Sequence, residues 1–160
     1  QIEKIVNTPK GSRPDPSSYL SQEYIEAHLA QFDDGVSVIQ TEWAYKRYSE
    51  INGFVGVPDD NSLFVMPKNY CDDVIERANG NISIIEKELG FPEGYFSDGG
   101  GLIRIDAPNT PELNIRIPSG NETGANSHWI PGGKTSGGVP EAITNTIHLK
   151  DTTITRIDVD

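Results

Sequence analysis

Cysteine occurs once in the chain, at position 71, and methionine once, at position 66. A single thiol excludes an internal disulfide, so packing and hydrogen bonds must hold the fold. Cys71 falls in a stretch of helical pattern, where a buried, inert thiol is expected. Cations are scarce: 13 Lys and Arg face 24 Asp and Glu, for a net charge of −11. That balance lacks the basic footprint needed to live on nucleic-acid phosphates or on an anionic membrane surface. No apolar run approaches the ~18 residues of a membrane span. HExxH, CxxC pairs and EF-hand loops are all absent, and His28, His128 and His148 are scattered. No zinc site is therefore expected and no metal ligands stand out, while Asp and Glu oxygens stay open as ligands for a harder cation.

The 160 residues suit one domain with one core. Because the chain begins at Gln1, it is expected to be a segment of something longer or a mature fragment. Residues 1–17 carry Gly11, Pro14 and Pro16 and read as an arm, leaving 18–160 as a single domain. Ser21 is a good N-cap for a helix over Gln22–Phe32, whose apolar face includes His28 as a packed histidine. Val36–Ile39 reads as a strand. Thr41 and Glu42 open a second helix that ends at Asn52-Gly53, with Trp43, Ala44, Arg47 and Tyr48 expected on a core-facing stripe. Leu63–Met66 reads as a strand. Pro67 starts a helix to Ala78, and Asn81 caps another over Ile82–Leu89, stopped by Gly90.

The second half changes character, with ten of the sixteen glycines between Gly94 and Gly138. Strands are expected at Leu102–Asp106, Leu113–Ile117, Thr146–Leu149 and Thr153–Val159. The fold class is α+β: short helices first, then a small, mainly antiparallel sheet. One stretch, Ile117 to Ala142, fits no period. It combines glycines with Trp129, Ile130 and Val139, which suits a ligand-shaped loop better than a linker. Gly132-Gly133-Lys134-Thr135 has the tail of a phosphate loop, but position 128, where the leading glycine belongs, is His and no strand leads into it. Its backbone N–H groups with Lys134 could still cradle a pyrophosphate. Glu141 closes the loop behind Pro140, either as a positioned acid or as a first-turn helix carboxylate ahead of Ala142 and Ile143. Arg104 sits mid-strand. It either reaches a cleft to grip phosphate or carboxylate, or pairs with Asp106 or Asp98. Arg116 competes for the gripping role.

The run Ser119-Gly120-Asn121-Glu122-x-Gly124-Ala125-Asn126-x-x-Trp129-Ile130-Pro131-Gly132-Gly133, followed by Thr135-Ser136-Gly137-Gly138-Val139-Pro140-Glu141-Ala142, resembles the C-terminal toxin domain of polymorphic bacterial toxins. These are the variable tips of Rhs-type and filamentous-haemagglutinin-type, contact-dependent proteins. Ser18-Tyr19-Leu20, Tyr24-Ile25-x-x-His28-Leu29, Val65-Met66-Pro67-Lys68 and Leu89-Gly90-Phe91-Pro92-x-Gly94-Tyr95 are similar to the same group. The resemblance spans roughly 17–141. It implies an interbacterial effector, secreted on a larger carrier, that acts in a target cell's cytoplasm and is met there by a cognate immunity protein.

Within that group the order of Arg104, Ser119 and Glu141 resembles ADP-ribosyltransferase-like toxins. Trp129 to Gly138 loosely resembles a loop of tuberculosis-necrotizing-toxin-like NAD glycohydrolases. The resemblance implies an ADP-ribosyltransferase-like sheet and NAD as substrate. Arg104 would hold its phosphates and Glu141 would stabilise the ribosyl oxocarbenium. Ser119, Asn121, Asn126, Trp129, Lys134 and Ser136 would line the NAD site. The chain departs from the transferase pattern in having Pro140 before a lone glutamate and no Ser-Thr-Ser strand, which weakens transfer to a target more than NAD cleavage. Two other readings stand beside it: a nuclease in which His128 works with Glu122, Lys134 or His148, and a non-catalytic module whose 117–142 loop recognises a partner.

Overall fold

The computed structural model describes residues 2–97 and 99–160. In chain order it holds helix α1 (Ile2–Asn7), helix α2 (Gln22–Ala30) and strand β1 (Val36–Thr41). A helical stretch over 42–52 comes next, made of an α-turn, α3 (Glu42–Ala44), a π-turn (Tyr45–Ser49) and a last α-turn, α4 (Glu50–Asn52). Strands β2 (Phe54–Val55) and β3 (Leu63–Pro67) lead to helices α5 (Lys68–Ala78) and α6 (Ile82–Leu89) and strand β4 (Leu102–Ala107). Strands β5 (Ala142–Thr144), β6 (Ile147–His148) and β7 (Thr153–Ile157) complete the chain.

Local chemistry explains the boundaries. Ser21 Oγ accepts from Tyr24 N, Thr41 Oγ1 from Ala44 N, and Asn81 Oδ1 from Ser83 N, so each starts its helix. Gly53 and Gly90 end theirs in the left-handed conformation. Pro67 closes β3 and precedes α5 in extended conformation, its missing N–H costing the first turn nothing.

Five strands form one antiparallel sheet in the order β5-β3-β1-β4-β7. The α+β class expected from sequence is what the chain adopts. One face of the sheet carries Val36, Val65, Ile103, Ile105 and Ala142 against Phe32, Leu113 and Ile147. The other carries Ile39, Met66 and Leu102 against Cys71, Val74 and Ala78 of α5 and Ile85 of α6. Buried there, the Cys71 thiol is pushed up to about 12, the inert state expected of it. Pairing between β1 and β3 is short. Only Val36 with Pro67 and Ser37 with Met66 face each other, whereas β1 and β4 pair along all six residues. Beyond Ser37 the sheet is split.

Three sequence expectations are corrected. Leu113–Ile117 is not a strand: Pro111–Leu113 is a 3₁₀ turn, Asn114 is left-handed at φ 49°, and Arg116 alone bridges to Ile143. A proline and a left-handed residue cannot sustain a ladder. Trp43 and Tyr48 are not core, being 54% and 53% exposed. Residues 2–17, read as an arm, fold back onto the 120–129 loop. Ile5 packs with Ala125 and Trp129. Lys10 Nζ donates to the Thr123 and Ala125 carbonyls, and Arg13 Nη1 to that of Gly120. Gln1 and Asp98 lie outside the described residues.

The loop after α6 is pinned by a buried carboxylate. Glu86, 2% exposed, accepts from Gly94 N at 3.1 Å and from Phe96 N at 2.7 Å. Replacing it strands two backbone donors, at about 1–3 kcal/mol for each that stays buried. Glu86→Ala is expected to lower stability by about 2–4 kcal/mol, read by urea denaturation followed by circular dichroism. An unchanged midpoint would refute the anchoring role.

Candidate active site

The split between β1 and β3 opens into a cavity of about 760 Å³. Val38–Thr41 of β1 and Leu63–Met66 of β3 line it, together with Trp43 and Tyr48 of the 42–52 helix. Phe91, Tyr95 and Phe96 from the loop that Glu86 pins, and Asn126, His128 and Trp129 from the glycine-rich loop, complete its aromatic walls. The volume and the apolar, aromatic lining are those of a small-molecule site. Glu141 also lines it, immediately before β5, one strand away from where β1 and β3 part.

The backbone of Glu141 is held from both ends. Its N–H donates to the Gly133 carbonyl at 2.7 Å. Its carbonyl accepts from His28 Nε2 at 2.9 Å, and Gln31 Nε2 faces His28 Nδ1 at 3.1 Å, which sets the proton on Nε2. His28 is 4% exposed and lies between Tyr24 and Phe32. Burial depresses its pKa, so the ring is neutral, and it serves as the structural histidine expected. The close approach requires Gly133. A Cβ there would sit 2.5 Å from His28 Nε2, and φ is +78°.

The Glu141 side chain, by contrast, has no partner. It makes no ion pair and accepts no hydrogen bond among the described residues, and no Lys or Arg lines the cavity. Burial, and then the negative charge of Glu122, push its pKa from 4.5 up to about 8. Trp129, 6% exposed, is the second unsatisfied group: its Nε1–H finds no acceptor in the protein. A half-buried, unpaired acid and an orphaned indole donor on one cavity are what a ligand site, rather than the fold, has use for.

No family model matches the chain, and no curated protein is similar to it. The assignment therefore rests on geometry. Glu141, Asn126, Trp129 and Ser136 are brought together on one cavity. Asn126 also braces it, donating to the Gly90 carbonyl. The other four expected residues lie elsewhere. Ser119 Oγ donates to Glu122 Oε2 in a closed turn. Asn121 is spent on residues 11–13, accepting from Gly11 N and Arg13 N and donating to the Arg13 carbonyl. Lys134 is exposed, away from the cavity, and bridges to Pro140.

Arg104 is the main correction. It lies on β4, and β1 and β3 stand between it and β5, three strand spacings or roughly 14 Å from the strand beside Glu141. Its guanidinium is filled by protein acceptors: Asp72 at 2.6 Å, Asp106 at 2.9 Å and the Lys68 carbonyl at 3.2 Å. Ser37 Oγ donates to the same Asp106. Arg104 faces a separate, charged cavity of about 710 Å³ beside α5 and β7. Arg116 is also committed, to Asn114, Asn145 and Asn61. The alternative His128 grouping is scattered as well. Glu122 caps its own turn and His148 pairs with Phe54 in the β2–β6 ribbon.

Sequence reasoning missed Trp43, Tyr48 and the Phe91–Phe96 aromatics as cavity residues. The missed signal in 42–52 is the π-turn, which adds a residue to one turn and rotates the later residues out of a regular 3.6 phase. In 91–96 three aromatics in six residues after a helix-stopping glycine were a usable signal.

The sign of the Glu141 shift gives a stability test. A carboxyl raised from 4.5 to about 8 stabilises the folded state fully below about pH 4.5, and that contribution fades as pH rises through about 8. Glu141→Gln cannot ionise. It is expected to match the parent's Tm at pH 4 and to exceed it by roughly 3 °C or more at pH 9. Parallel Tm curves from pH 4 to 9 would refute a desolvated, uncompensated acid.

Proposed function

We propose that the domain binds NAD in this cavity and breaks its nicotinamide–ribose bond, with Glu141 as the catalytic carboxyl. The observation that carries the reading is an unpaired acid in an aromatic-walled cavity with no cation in its lining. The ligand that best complements such a site is planar and positively charged, and the nicotinamide ring of NAD is both. Its positive charge would draw the Glu141 proton off and make the carboxylate the counter-charge.

Cleavage follows from that pairing. As the C1′–N bond breaks, its electron pair returns to the pyridinium nitrogen and positive charge moves onto the ribose. Glu141 gains attraction as the oxocarbenium develops, which is transition-state stabilisation rather than uniform binding. Water then adds at C1′ and loses a proton, giving ADP-ribose, or a target nucleophile takes its place. The residues support hydrolysis better than transfer, because a lone glutamate stands where the transferase pattern has two acids. The role first expected of Arg104 passes to no lining residue. The split sheet, with its cleft between the β1 side and the β3–β5 side, suits an ADP-ribosyltransferase-like architecture.

The toxin resemblance gives the biological setting: an effector domain on a larger carrier, acting in the recipient cytoplasm, with an immunity protein that occludes this cleft. No described helix is long and apolar enough to cross a membrane. A basic patch on the immunity protein would complement the net charge of −11.

Nicotinamide release from NAD by the purified domain is the direct test. Glu141→Gln is expected to lower kcat at least about 100-fold with KM changed only a few-fold. In the parent, kcat/KM should rise about tenfold per pH unit below 8 and level off above it, following the free carboxyl. The kcat profile should break at lower pH, because the bound cation favours the carboxylate. Absence of both turnover and label transfer to a bacterial lysate would end this reading.

A further inference from the structure

We infer that the 42–52 helix forms a nucleotide subsite at the mouth of the cleft, in which Trp43 and Tyr48 stack on a purine ring and Arg47 takes the attached phosphate. Trp43 and Tyr48 are more than half exposed, yet they meet edge to face with centroids 5.9 Å apart. The Arg47 guanidinium rides on both rings, 5.3 Å from the Trp43 centroid and 6.0 Å from that of Tyr48. It has no acid partner among the described residues. The nearby Glu42 is already shared by Lys46 and Arg156. A cation poised over an exposed aromatic pair, with its donors uncommitted, is ready for an anion carried on a flat ring.

The backbone is deformed to make this group. In a regular helix, residues five apart point about 140° away from each other. The π-turn at Tyr45–Ser49 widens the helix just there and brings Trp43 and Tyr48 side by side. Such turns are rare and concentrate where a helix must present side chains for function. The same two rings line the cavity that holds Glu141, as does Tyr95, 59% exposed and stacked on Phe91. With no Lys or Arg in that lining and a strongly acidic chain, Arg47 is the natural counter-charge for a phosphate arriving at this mouth.

The ligand class is an adenine nucleotide. This deepens the NAD reading, placing the ADP half of the substrate at 42–52 and the nicotinamide half at Glu141, but its test does not depend on turnover. ADP alone is the probe, titrated calorimetrically and by quenching of tryptophan fluorescence. ADP is expected to bind the parent domain, and Trp43→Ala, Tyr48→Ala and Arg47→Ala each to weaken it at least tenfold. Lys46→Ala, which removes a neighbouring cation, should leave the affinity within about twofold. All four positions are exposed, and unchanged circular dichroism and Tm would establish that the variants fold. If NAD is cleaved, the three weakened variants should raise KM about tenfold and leave kcat within about threefold. ADP binding that falls in these variants while NAD is untouched would keep the subsite and remove the proposed reaction. An absence of ADP binding at millimolar concentration, or equal binding by parent and variants, would overturn the subsite even in an active enzyme. The second outcome would point instead to a protein partner for these aromatics.

Discussion

Strands β1 and β3 share two residue pairs, Val36 with Pro67 and Ser37 with Met66, and then part. A longer ladder would have closed the cleft with backbone hydrogen bonds and left Glu141 beside a continuous sheet. The parting is possible because each strand is secured on its other side, β1 along its whole length by β4 and β3 by β5. The cleft therefore lies between two secured halves of the sheet rather than in a frayed edge, and its walls are as fixed as the strands that make them. Glu141 stands next to the branch point, and its main chain is fixed by Gly133 on one side and neutral His28 on the other.

Electrostatics at the site follow from what surrounds that carboxyl. Asp106 is answered by Arg104 and Ser37, and the buried Glu86 by two backbone N–H groups. Glu141 is desolvated and faces the like charge of Glu122, so its neutral form is favoured and its pKa climbs to about 8. The fold tolerates this because a protonated carboxyl is a modest burden below that pH. A positive charge brought beside it would reverse the balance and favour the carboxylate.

Much of the architecture was legible in local chemistry. Ser21, Asn81, Gly53 and Gly90 mark real helix ends, and Val36, Leu63, Leu102 and Thr153 begin real strands. Periodicity failed where backbone detail overrides it. Asn114 turns left-handed and ends a plausible strand, Ala142 opens a strand where a helix was conceivable, and the π-turn breaks the phase that would have set Tyr48 on one stripe with Ala44 and Arg47. Of the site, Glu141, Asn126, Trp129 and Ser136 were visible in one loop because a glycine-rich segment must be shaped by something. The pairing of Arg104 with Asp106 was one of two readings and holds, whereas its gripping role was misplaced because sequence order says nothing of strand order. Only the topology reveals two strands between it and β5, and only the contacts add Asp72 to Asp106 in filling its fork.

The N-terminal residues bear on the site more than a tether would. The Arg13 guanidinium lies 4.7 Å from the Trp129 ring centroid, and its Nη1 holds the Gly120 carbonyl. Asn121 locks the same loop to the backbone of residues 11–13, and Ile5 packs against Trp129. A glycine-rich loop has high conformational entropy to lose, and these contacts supply order that the loop's own sequence lacks. Trp129 can then present a cavity wall although its indole N–H has no protein acceptor. Segments that look dispensable by composition are thus part of the structure that fixes the cleft, because the loop that walls it is folded from outside itself.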